Sequence, residues 1–145
     1  MKRLLTLTFC LFTLVGFIKA DNDKFIKTEK LPKKAIEFIK QHFPKDKISF
    51  VKIGTDLLQK SYKAVLANGA SVEFDKKGEW EEIECKNTAV PNDIIPKEIR
   101  TQLSKKFPDA KVVKIERDSK GYDVELDNDY DLKYTNKFKL IEVDN

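Results

Sequence analysis

The sequence predicts an α+β protein: a tandem repeat of a helix followed by an antiparallel four-stranded β-meander, with the helices on one sheet face. Three observations predict it. Leu31-Pro32-Lys33 reaches Phe43-Pro44 twelve residues on, and Ile95-Pro96-Lys97 reaches Phe107-Pro108 at the same spacing, so the chain repeats itself. Inside both segments apolar residues recur every four positions, the pattern of a helix with one buried stripe. Downstream of each, short alternating runs are separated by Asn, Asp and Gly, the signature of strands and turns.

Before the repeat comes a leader. Lys2 and Arg3 precede an apolar run from Leu4 to Ile18, and Lys19-Ala20 then meets Asp21-Asn22-Asp23. About 15 apolar residues fall short of the roughly 20 a membrane span needs, so residues 1–20 read as a secretory signal peptide cut after Ala20. Cys10 follows Phe9 in mid-run, without the small residues of a lipidation site. The mature chain is therefore expected to be periplasmic or secreted, with no stable membrane insertion. It retains one thiol, Cys85, and so forms no intrachain disulfide. Glu82 and Glu84 nearby raise rather than lower a thiol pKa, so Cys85 reads as a small apolar residue of a strand.

The two units span residues 21–86 and 87–145, divided within the polar stretch 86–93. The first helix carries Leu31, Ala35, Ile39 and Phe43 on one face, the second Ile95, Ile99, Leu103 and Phe107. Pro32 and Pro96 suit the first turn, and Pro44 and Pro108 stop each helix. Strands are expected near 48–53, 60–66, 70–75 and 79–85, then 111–117, 121–126, 130–135 and 138–143. Register follows from parity, because residues opposite one another share a face. A three-residue loop at 67–69, with Gly69 left-handed, sets Ala64 against Val72 and Tyr62 against Phe74; one at 127–129 sets Val124 against Leu132 and Tyr122 against Tyr134. Asp129 tolerates the left-handed position. A turn ending at Gly78 puts Trp80 opposite Phe74, in the core, and Leu140 falls beside Leu132.

The chain carries 28 basic and 24 acidic residues; removing Lys2, Arg3 and Lys19 leaves 25 against 24. A nearly neutral chain lacks the basic surplus of a nucleic-acid binder, so no nucleic acid is expected as partner. No G-x-S-x-G, phosphate-loop, H-E-x-x-H or C-x-x-C motif occurs. His42, the sole histidine, reads as a helix-end residue. Asp127, Asp129 and Asp131 alternate as in a calcium loop, but Leu132 and Phe138 stand where such a loop needs Gly and Glu. Neither a metal nor another cofactor is called for. Carboxylate pairs such as Glu79 with Glu81 and Asp123 with Glu125 are too common to define a hydrolase.

Attention falls instead on the sheet face turned away from the helices. Parity places Val65, Glu73, Glu81 and Ile83 of the first unit there, with Asp123, Glu125, Lys133 and Ile141 of the second. These eight are the candidate binding residues: acidic groups and a lysine around an aliphatic set that Val143 completes. Either that set is an exposed docking patch with a charged rim, or the last strand of each unit carries a bulge, or these residues meet the chain termini.

An exported chain with a duplicated unit opening on [LI]-P-K, closing its helix on F-P and continuing into Val112-Val113-Lys114-Ile115 and Tyr122-Asp123-Val124-Glu125-Leu126 resembles the PepSY-like, β-lactamase-inhibitor-like proteins over about residues 25 to 144. The resemblance implies curved antiparallel sheets with helices on the convex side, residence in a Gram-negative envelope, and non-catalytic binding or inhibition of a cell-envelope protein such as a peptidase. It implies no catalytic residues. The alternatives from the residues are a small-ligand or metal sensor and a carboxylate-dependent hydrolase using Glu81 or Glu125. N-terminal sequencing of the exported protein is expected to begin at Asp21; retention of Met1 would refute the leader.

Overall fold

The computed structural model describes residues 24–56 and 59–145; the leader at 1–20 lies outside the described residues. The strands are β1 (Lys24–Ile26), β2 (Ile48–Asp56), β3 (Gln59–Leu66), β4 (Ser71–Asp75), β5 (Trp80–Glu84), β6 (Val112–Arg117), β7 (Gly121–Leu126), β8 (Asp131–Thr135) and β9 (Leu140–Asp144). The helices are α1 (Lys33–His42) and α2 (Lys97–Lys106). All nine strands form one antiparallel sheet in sequence order.

This corrects the expected fold class. The chain is mostly β, a single nine-stranded sheet carrying two short helices, and not an α+β tandem repeat of a helix and a four-stranded meander. The reason lies in the edges. A meander ending at β5 would leave a row of unpaired backbone groups. Here β6 satisfies them: Glu82 pairs with Glu116, Ile83 with Ile115 and Glu84 with Lys114. The pairing continues past the strand end, where Cys85 N–H donates to Val113 O at 2.7 Å and Val90 N–H to Val112 O at 2.8 Å. At the other end β1, absent from the sequence expectation, adds itself to β2.

Register lines up one apolar residue from every strand. Ile26, Val51, Ala64, Val72, Ile83, Ile115, Val124, Leu132 and Val143 pair in succession across the whole sheet. Seven of these, Val51 through Leu132, are buried in one core with Ala35, Ile39 and Phe43 of the first helical segment and Ile95 and Ile99 of the second. Phe38 meets Phe74 edge-on at 5.8 Å between ring centres. Both helices start just after their prolines and end at Phe43 and Phe107, whose N–H groups donate to Ile39 O and Leu103 O.

The hairpin registers follow the parity argument in β3–β4 and β7–β8, and Trp80 sits opposite Phe74 in the core. Gly69 and Asp129 hold the left-handed positions, with φ of 88° and 68°. Parity fails at four bulges. Ser49, Glu81, Val113 and Ile141 are each the extra residue between two register positions. Each bulge brings two apolar residues three apart onto the core face: Ile48 and Val51, Trp80 and Ile83, Val112 and Ile115, Leu140 and Val143. Ile83 is consequently 0% exposed and belongs to the core, not the open face. Leu140 pairs with Tyr134, and Val143 takes the expected place beside Leu132.

At the turn into β5, Gly78 has φ +83°, and a Cβ there would come within 2.9 Å of Pro32 Cβ and 3.0 Å of Ala35 N. The helix thus sits directly on the turn. Gly78→Ala is expected to cost roughly 1–3 kcal/mol from left-handed strain plus this contact. Ile83→Ala is expected to cost about 2–5 kcal/mol, and Ile141→Ala less than about 0.5. Urea denaturation of the three variants checks these values; equal effects at Ile83 and Ile141 would contradict the bulge.

Candidate functional site

The face opposite the helices is uncovered among the described residues, and alternation within each strand builds it. Its first transverse row runs Phe25, Lys52, Lys63, Glu73, Glu82, Glu116, Asp123, Lys133, Glu142, one residue per strand. The second runs Phe50, Val65, Ser71, Glu84, Lys114, Glu125, Asp131, Asp144 from β2 to β9. Both rows begin aromatic, and from β4 onward they are mainly acidic. The chain's overall charge is +4, so the lysines balancing this acidity lie largely elsewhere.

Like charges stand directly opposite at Lys52–Lys63, Glu73–Glu82, Glu82–Glu116, Glu116–Asp123, Glu125–Asp131 and Asp131–Asp144. Such pairs destabilise a sheet. Part of the repulsion is relieved by Lys63–Glu73 at 3.0 Å, Lys133–Glu142 at 3.7 Å, and Lys114 at 2.9 Å from Glu116 and 3.7 Å from Glu82.

Burial, together with the remaining repulsion, displaces protonation on this face. Burial, a hydrogen bond to Glu116 and the Glu73 charge push the Glu82 carboxyl up to about 7, against the pull of Lys114. Burial also acts on Glu116, but hydrogen bonds with Glu82 and Lys114 outweigh it and hold that carboxyl below its ordinary value. Of the two, Glu82 is thus the carboxyl that takes up a proton first as the pH falls. Glu81, Asp123, Glu125 and Asp131 are likewise raised, by burial first and then by neighbouring carboxylates. Two open depressions indent the face, one of about 290 Å³ that includes Glu73, Glu81, Glu82 and Glu116, the other of about 230 Å³ that includes Glu125, Asp131 and Asp144. Neither encloses its carboxylates from water as acid–base catalysis favours.

Of the eight candidate residues, the structure places Glu73, Asp123 and Lys133 in the first row and Val65 and Glu125 in the second. Glu81 reaches the same face from its bulge, beside Glu73 and Glu82. Ile83 is withdrawn into the core, and Ile141, 56% exposed, is the extra residue of the β9 bulge. The aliphatic centre expected from parity therefore does not exist. Its place at one end is taken by Phe25 and Phe50, 71% and 40% exposed, whose rings meet edge-on at 5.6 Å. Sequence reasoning missed these two, together with Glu82, Glu84, Lys114, Glu116, Glu142 and Asp144. The missed signal was apolar spacing of three within a strand, as in Trp80-Glu81-Glu82-Ile83, which requires a bulge.

A family model described as β-lactamase-inhibitor-like, PepSY-like matches residues 60–142. The crystal structure of a DUF2874-family protein from Bacteroides vulgatus, described as periplasmic, is 44% identical, with a TM-score of 0.84 over 87% of this chain and 99% of that one. A Bacteroides thetaiotaomicron protein described as periplasmic and calcium-regulated is 50% identical, with a TM-score of 0.82 over 85% and 97%. A second B. vulgatus protein, described as periplasmic and of unknown function, is 36% identical, with a TM-score of 0.82 over 86% and 100%. No curated protein matches. Among the described residues no helix is long and apolar enough to cross a membrane.

Because Glu82 binds its proton more tightly folded than unfolded, lowering the pH from 8 toward 5 draws a proton onto the native state and stabilises it. Glu116 acts oppositely, and its contribution fades as pH falls through the ordinary glutamate range and below. Tm is expected to rise between pH 8 and 6, and Glu82→Gln to flatten that rise. An unaltered pH profile in the variant would rule out the raised Glu82 carboxyl.

Proposed function

The chain belongs to the PepSY-like, β-lactamase-inhibitor-like family, and from that premise we propose that it is a non-catalytic periplasmic module whose open sheet face binds another protein of the cell envelope. One observation carries this reading: two rows that are mainly acidic from β4 onward, with carboxylates directly opposite one another, uncovered among the described residues and ending in an exposed aromatic pair. Electrostatic complementarity assigns the partner a basic segment over β4–β9, and the Phe25–Phe50 end supplies an apolar anchor. A peptidase held by such a contact is one partner of this kind.

The B. thetaiotaomicron relative's description favours a second reading, a metal sensor. The residues here do not fit a resident calcium ion. Among the described residues no three His, Cys, Asp or Glu side chains converge to hold a metal. In the 127–129 hairpin, Asp127 Oδ1 accepts the Lys111 backbone N–H at 2.9 Å, and Asp129 serves the turn.

Affinity capture from envelope extract tests the first reading. The native chain is expected to retain a partner that high salt releases, that Glu125→Lys with Asp131→Lys abolishes, and that Phe50→Ala weakens by about 2 kcal/mol. Retention indifferent to all three changes overturns the reading. Millimolar calcium is expected to leave Tm within about a degree; a rise of several degrees would assign the sensor instead.

A further inference from the structure

The helix-bearing side holds a separate recess that shares no lining residue with the depressions of the open face. A groove of about 670 Å³ is lined by one flank of α2 and by Ala89, Val90 and Asn92 of the preceding segment, a size within the range of small-molecule sites. The shape of this flank has a sequence origin. At the aligned positions α1 carries Ile36, Glu37 and Lys40, where α2 carries Arg100, Thr101 and Ser104. The two hydroxyls fold back to donate to Lys97 O and Thr101 O, both at 2.9 Å, leaving this flank low.

The lining combines one charge sign with an apolar floor. Lys97, Arg100 and Lys111 are its charged residues, none of the lining residues is acidic, and Val90, Phe107 and Val112 are among its apolar residues, Val90 and Val112 nearly fully buried beneath it. Among the described residues none of the three cations joins an ion pair. Arg100 Nε donates to Ile95 O at 3.1 Å, which anchors one edge of the guanidinium and leaves the fork of terminal nitrogens for a bidentate anion. The distance along α2 from Lys97 to Phe107 is roughly 15 Å, the reach of an extended acyl chain of medium length.

We infer that this groove binds an anionic amphiphile, with a carboxylate or phosphate head on Arg100 and Lys97 and a single aliphatic chain over Val90, Phe107 and Val112. The test uses dodecanoate and dodecyl phosphate below micelle formation, followed by calorimetry and amide NMR on the full mature chain. Saturable binding of either, with shifts at 89–92, 100–104 and 107–112, supports the site; which of them binds identifies the head group. Arg100→Gln with Lys97→Gln is expected to weaken binding at least tenfold at unchanged Tm, and Ser104→Phe to block it by filling the groove. Equal binding of dodecyltrimethylammonium, shifts confined to the open sheet face, the same shifts from a hexaglutamate peptide in place of the amphiphile, or no binding by the native chain would each overturn the proposal.

Discussion

Everything in this molecule depends on a single line of apolar pairing that crosses the sheet from Ile26 to Val143. Each strand must deliver one apolar residue to that line, at the right height and on the helix side. Burying a Val, Ile or Leu there stabilises by about 1.5–3 kcal/mol, more than any single cross-strand charge pair on the other face can cost. The line is also what joins the halves: Ile83 facing Ile115 is its central step. Breaking that step would expose apolar surface and two unpaired sheet edges together.

Excess stability on one face permits tension on the other. With the core row in place, the charged rows need not be optimised for stability, and they are not: six like-charge pairs persist across strands. Burial and neighbouring carboxylates together raise the carboxyl pKa values on this face, most clearly at Glu82. A cationic partner of the kind proposed would relieve repulsion that water and salt relieve only partly.

The bulges connect these two faces. Without Glu81 as an extra residue, Ile83 would point outward with Val65, and the open surface would be aliphatic at its centre. With it, Ile83 fills the core and Glu82 and Glu84 turn outward. The same exchange at Ile141 sends Glu142 and Asp144 to the open face. Four insertions of one residue thus convert a mixed surface into a segregated one, apolar beneath the helices and charged on the reverse.

From sequence alone the helices, the hairpin turns and the registers of β3–β4 and β7–β8 were legible, because each rests on local chemistry: prolines bounding a four-residue apolar stripe, Gly69 and Asp129 in left-handed turns, and strict alternation in Tyr62-Ala64-Leu66 and Tyr122-Val124-Leu126. Val65, Glu73, Asp123, Glu125 and Lys133 lie on the open face for the same reason. The β5–β6 junction, the added strand β1, the burial of Ile83 and the aromatic end at Phe25 and Phe50 were decided only by tertiary structure. Strand partners distant in sequence are chosen by edge satisfaction across the whole sheet, and a bulge forms because the common core demands it, not because its own strand does.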